Sequence, residues 1–145
     1  MRRPRAPLER LAAASLVLRY LLATRQASLQ ETAAGISPRI QRSLEYIAAH
    51  VSDALNVPGL ARHIGLSESR FKARFRHEAG LPPGEYIARV KIAAACEALR
   101  QPGCKVTELA HALGFSSSQY FATVFRRFSG MTPSEFQATR GAGNP

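Results

Sequence analysis

A chain that repeats itself has few folds open to it, and this one repeats at an offset of 49 to 50 residues. Leu60, Ala61 and Gly65 return as Leu109, Ala110 and Gly114, 49 positions on. Phe71, Phe75, Arg76, Gly80, Pro83 and Glu85 return 50 positions on as Phe121, Phe125, Arg126, Gly130, Pro133 and Glu135, and Tyr86 is matched by Phe136. The extra residue falls in a turn, around Phe115 and Ser116. A slip confined to a turn is what a duplicated unit tolerates.

Each copy reads as a short helix, a glycine turn and a longer helix, the layout of a helix-turn-helix. The glycine supplies the positive φ that lets two helices cross sharply. Ala61 and Ala110 are small where those helices approach, and the pairs Phe71/Phe75 and Phe121/Phe125 put two aromatic rings on one face of the longer helix. One such unit occurs by chance in many helical chains. Nine identical positions at a nearly fixed offset do not.

The remaining punctuation is helical as well. Ser37-Pro38 reads as an N-cap with proline at the first position, followed by Ile40, Leu44, Ile47 and Val51 at helical spacing. Asn56 and Pro58 open a short helix ending near Gly65, and Ser67 caps one that runs to Ala79 and stops at Gly80. Pro82-Pro83 opens a longer helix ending near Arg100, broken by Gln101-Pro102-Gly103. Further helices are expected over residues 106–113 and 117–129, and Thr132-Pro133-Ser134-Glu135 is a capping box for a last one. No alternating strand pattern occurs, so the fold is expected to be all-α.

Ahead of this region, Leu8, Leu11, Leu18, Leu21 and Leu22 fall at helical spacing with arginines between them, which predicts an amphipathic helix over residues 1–26. Arg2, Arg3, Arg5 and Arg10 before an apolar run also match the start of a secretory signal. Arg19 and Arg25 interrupt that run, however, and no small-x-small cleavage site follows. The expected division is residues 1–36 as helix and linker, 37–140 as the repeated domain, and 141–145 as a disordered tail.

Charge narrows the partner. The chain carries 20 Lys+Arg against 10 Asp+Glu, a net +10, which favours a polyanion such as nucleic acid or an anionic membrane. No stretch of about 18 uncharged apolar residues exists, so no transmembrane helix is expected. Cys96 and Cys104 lack CxxC spacing, and the four histidines lack HxxxH or HExxH spacing, so no disulfide framework, metal or cofactor is expected. Cys96 reads as core packing, and Cys104, in a Pro-Gly turn beside Lys105, has no partner at a spacing that suggests catalysis.

These residues resemble the C-terminal domain of the AraC/XylS family of bacterial transcription regulators. The second unit carries the most specific likeness: Leu109-Ala110, Gly114-Phe115, Tyr120-Phe121, Val124-Phe125-Arg126-Arg127, Gly130-Met131-Thr132-Pro133 and Phe136. The connecting helix agrees, with Tyr86-Ile87 ahead of Lys91-Ile92 and then Ala95 and Leu99. The resemblance spans roughly residues 40–140. It implies two homeodomain-like helix-turn-helix subdomains joined by a central connecting helix, whose reading helices enter successive major grooves of double-stranded DNA. It also implies transcription regulation, leaning towards activation through RNA polymerase, in the bacterial cytoplasm on the nucleoid. Residues 1–26 are similar to the dimerising helix that often ends a sensor domain in this family, so a homodimer through Leu8, Leu11, Leu18 and Leu22 is expected. The effector of any missing sensor domain is not deducible.

With Phe71 and Phe75 turned inward, the outer face of the first reading helix carries Ser69, Lys72, Ala73 and Arg76, with Arg70 at its edge. The second carries Ser118, Gln119, Ala122, Thr123 and Arg126. Ser69, Arg70, Lys72, Ala73, Ser118, Gln119, Ala122 and Thr123 are the expected base readers, since the N-terminal part of such a helix reaches base edges. Arg62, Arg76, Lys91, Thr107, Arg126 and Arg127 are expected on phosphates. Arg74 aligns with the half-buried Val124 and is expected to lie over the core. Family members often carry Arg at the positions of Ala73 and Thr123, and an Arg after the aromatic at Phe136 where this chain has Gln137; no known binding site is therefore transferable. Two rivals remain at this level: a charge-driven nonspecific nucleic-acid binder, and the DNA-reading part of a repair methyltransferase that works through a reactive cysteine.

Overall fold

Pro38 opens the first helix from the extended backbone of Ser37 (φ −65°, ψ 152°). The computed structural model describes residues 35–141, so the helix expected over residues 1–26, its leucine face, the linker up to residue 34 and the tail beyond Gly141 lie outside the described residues. The described residues form seven helices and no strand: α1 (Pro38–Ala49), α2 (Val57–His63), α3 (Glu68–Ala79), α4 (Pro83–Ala98), α5 (Val106–Ala112), α6 (Ser118–Ser129) and α7 (Pro133–Gly141).

The caps explain most of these boundaries. Asn56 Oδ1 accepts from the Gly59 amide at 2.8 Å, Ser67 Oγ from Arg70 at 3.4 Å and Ser117 Oγ from Tyr120 at 3.1 Å. At α7 the capping box closes in both directions: the Thr132 amide donates to Glu135 Oε2 (2.7 Å) and the Glu135 amide to Thr132 Oγ1 (3.2 Å). Hydrogen bonding from the Thr132 amide, and then from its hydroxyl, holds the Glu135 carboxyl below the usual carboxylate range. Ser37 departs from expectation. Its side chain makes no cap bond; its backbone amide instead donates to Glu78 Oε2 at 2.7 Å, which ties the start of α1 to the end of α3.

The two units match in their turns and aromatic contacts. In the first turn the Gly65 amide donates to Arg62 O and the Leu66 amide to Ala61 O; in the second, Gly114 donates to His111 O and Phe115 to Ala110 O. This is the same Schellman closure twice, with glycine at φ 72° and 73°. Phe115 is thereby the counterpart of Leu66 and Ser117 that of Ser67, so the inserted residue is Ser116. The aromatic cores match as well. Phe75 meets Tyr86 edge-on at 5.4 Å and 71°, and Phe125 meets Phe136 at 5.6 Å and 74°. Each unit is thus a helix-turn-helix closed by the first turn of the next helix, α4 for one and α7 for the other.

Phe71, Phe75, Phe121 and Phe125 are fully buried, and one hydrophobic cluster runs through both units. The connecting helix α4 joins them by packing on both α3 and α6. It buries Tyr86, Ile87, Val90, Ile92, Ala94 and Ala95, an all-round apolar set expected of a helix with neighbours on several sides.

Candidate nucleic-acid interface

Burial of the phenylalanine pairs decides what α3 and α6 offer to a partner. Ser69, Arg70, Lys72, Ala73 and Arg76 are exposed on α3; Gln119, Thr123, Arg126 and Arg127 are exposed on α6, where Ser118 and Ala122 are half-covered. Helical spacing puts each set on the side away from its phenylalanines. Arg62 on α2 and Thr107 on α5 are exposed too.

Local bonds set the chemistry of the outer faces. Thr123 Oγ1 donates to Gln119 O at 3.0 Å, so its hydroxyl is engaged on its own helix and the methyl is the group it has left to offer a partner. Among the described residues the Gln119 carboxamide has no hydrogen-bond partner, which leaves its donor and acceptor for an incoming ligand. Lys72 Nζ lies 2.6 Å from Glu68 Oε1 one turn earlier. An exposed pair of this kind is worth well under about 1 kcal/mol, so exchanging the carboxylate for another acceptor costs little.

Arg74, expected to lie over the core, is about half exposed, with Nε 3.4 Å from Glu78 Oε1. Burial opposes the charge on Glu78, but the hydrogen bonds from Ser37 and the Arg74 guanidinium outweigh it and hold the carboxyl below the usual range. Arg127 leans over the Phe128 ring at 5.3 Å, which braces its long side chain.

Lys91, expected on phosphate, is turned inward. Its Nζ donates to Val51 O (2.7 Å), Asp53 O (2.6 Å) and Leu113 O, and no part of the group is available to DNA. Burial pushes its pKa down to about 8, against the pull of the Asp53 carboxylate. The sequence showed a basic residue on a helix; only the packing of α4 on both units shows which side it faces.

Two residues escaped the sequence reading. Tyr120 is 56% exposed beside Gln119, with its ring 6.0 Å from Phe115. Its signal was present, since it occupies the position equivalent to Arg70. Gln137, where the family often has Arg, donates through Nε2 to Cys104 O at 2.7 Å and pins α7 to the loop before α5. No local pattern announces that contact. Cys96 and Cys104 are both half-buried, and the described residues contain no His/Cys/Asp/Glu cluster able to hold a metal.

Two copies of a helix-turn-helix, each with a polar, basic outer face on its second helix, define the class as a double helix-turn-helix DNA-binding domain. Comparison with known proteins agrees. A helix-turn-helix family model matches residues 60–139. The transcriptional activator RhaS of Escherichia coli (strain SE11) is 30% identical over 125 residues, covering 86% of this chain and 45% of that protein. The chain thus spans about half the length of the curated relatives it matches. Among solved structures, the DNA-binding domain of the global transcriptional factor AdpA in complex with a target DNA superimposes with a TM-score of 0.70 at 26% identity, covering 75% of this chain and 98% of that one. The C-terminal domain of AraT, a response regulator from Geobacillus stearothermophilus, gives 0.70 at 24% identity over 74% of this chain and 89% of that one. The chain belongs to the AraC/XylS family of transcription regulators and carries its sequence-specific DNA-binding domain.

Proposed function

We propose that this domain reads two boxes on double-stranded DNA, with α3 in one major groove and α6 in the next, to regulate transcription. The observation that carries it is the duplicated unit, with both inner faces buried to the same plan and both outer faces exposed. The 16 residues of α4 span about 24 Å, and the bulk of a unit at either end brings the reading helices near the ~34 Å repeat of B-DNA.

Lys72, Arg70 and Ser69 meet base edges in the first box, Lys72 being suited to guanine acceptors. Gln119 pairs in two directions with adenine in the second box. Ala73, Ala122 and the methyl of Thr123 suit thymine methyl groups, and Tyr120 extends that apolar contact. Arg62, Arg76, Arg126, Arg127 and the amides at the start of α5 near Thr107 hold phosphates.

Activation through RNA polymerase is the regulatory outcome we favour, because RhaS is a transcriptional activator. The site of action is the bacterial cytoplasm, where the chromosome lies. No described helix is long and apolar enough to cross a membrane. We assign no catalytic role to either cysteine.

Selection from a pool of random duplexes at about 0.15 M salt tests the core of this reading. Enrichment of one motif with two boxes about one helical turn apart is expected. No enrichment, with affinity collapsing as salt rises, leaves only counterion-driven binding and sinks it.

A further inference from the structure

The two units touch each other through main chain as well as through α4, and the contact is built around Lys91. The loop that follows α1 brings Val51 O and Asp53 O to the lysine from the first unit, and the turn between α5 and α6 brings Leu113 O from the second. Three N–H donors meet three carbonyls, one set from each side of the molecule. The loop main chain lies directly on the next residue of that turn. A β-carbon on Gly114 would sit 2.6 Å from both the carbonyl carbon and oxygen of Asp53 and 2.8 Å from the Ala54 nitrogen. Gly65, its counterpart in the first unit, has nothing within 4 Å of the same point. The contact therefore belongs to one unit only and is not a by-product of the repeat.

Both sides lead straight to a reading helix. From Asp53 the chain passes through the Asn56 cap into α2 and on to α3. On the other side the Phe115 ring lies 5.8 Å from Lys91 Nζ and 5.0 Å from Phe121, near the start of α6. A buried ammonium with three directional acceptors has one geometry, whereas an apolar contact tolerates sliding.

We propose that Lys91 is the positioning residue that sets the distance and angle between α3 and α6, and hence the single spacing of DNA boxes that the domain accepts. The proposal rests on two-box reading. Linking two binding units raises affinity by about 10² to 10⁴ only when both boxes are engaged together, so a loosened joint costs part of that gain and widens the spacings tolerated.

Random-duplex selection with the full chain and with Lys91→Met tests it. The native protein should return one spacing. Lys91→Met should return the same two boxes over a spread of neighbouring spacings. Its affinity for the natural two-box duplex should fall on the order of tenfold, with affinity for a duplex holding one intact box unchanged. If Lys91→Met does not fold, Gly114→Asn is read in its place, with Gly65→Asn as the control that carries the same backbone strain without the contact; only Gly114→Asn should widen the spacing. A variant that keeps the native spacing overturns the proposal, and so does one that loses single-box affinity in the same proportion. Native protein that enriches only one box fails earlier, at two-box reading, and removes the proposal with it.

Discussion

The α-carbon of Gly114 faces the main chain of Asp53 so closely that a β-carbon would approach its carbonyl oxygen to 2.6 Å. Gly65 has the same left-handed backbone and open space. The two glycines, equivalent in the repeat, should therefore respond differently to substitution. Gly65→Asn pays only left-handed strain, on the order of 1 kcal/mol, since Asn tolerates that region. Gly114→Asn adds the displacement of a packed backbone, about 1–3 kcal/mol more. Thermal unfolding of the two variants checks this; equal losses would refute the close approach.

Base readers and phosphate holders should separate by their salt dependence. Gln119→Ala should cost about 1–3 kcal/mol at one base pair and relax selectivity there, and Lys72→Ala should do the same in the other box. Arg126→Ala should weaken binding to all duplexes alike and lower the salt slope by about one. Affinities for single-substituted duplexes at several salt concentrations distinguish the two patterns.

Tyr120 offers a test without a stability cost. Its ring is the large exposed hydrophobic of the domain's described surface, so Tyr120→Ala should change unfolding by no more than about 0.5 kcal/mol. If the ring extends the apolar contact of α6, affinity for the second box should still drop on the order of tenfold, about 1.4 kcal/mol. Unchanged affinity would return Tyr120 to being an ornament of the surface.

Lys91 predicts a pH signature in stability. In the unfolded chain it titrates near 10.5 and in the fold near 8. Below about pH 8 both states hold the proton and the cost of burying the charge is present in full. Between about 8 and 10.5 the unfolded state holds more protons than the folded one, so this group makes stability rise with pH. Melting of the native chain relative to Lys91→Met should be flat below pH 8 and climb in favour of the native chain from there to 10.5. A difference that stays level across that window would show that burial does not shift the group.

The caps are expected to act locally. Asn56→Ala should cost about 1 kcal/mol, as the loss of one N-cap acceptor does, with DNA specificity unchanged. Denaturant unfolding and a binding titration on the same sample would show whether the two effects separate.

What the sequence alone determined is everything encoded within a few residues. The all-helical fold, the turn glycines, the helix starts at Asn56, Ser67 and Thr132, and the inward faces marked by Phe71/Phe75 and Phe121/Phe125 all follow from bonds and contacts that reach one helical turn or less. The outer faces of α3 and α6 follow by subtraction, which is why most candidate DNA contacts could be named without a structure. Contacts between residues far apart in the chain left no such mark. Ser37 looked like a cap and instead meets Glu78, 41 residues away; Lys91 looked like a surface cation and instead gathers carbonyls 22, 38 and 40 residues away. Tertiary structure decided these, because a charged or polar group goes where its last unsatisfied partners are: Glu78 is met when α1 packs on α3, and the carbonyls around Lys91 come together only when the two units close on α4.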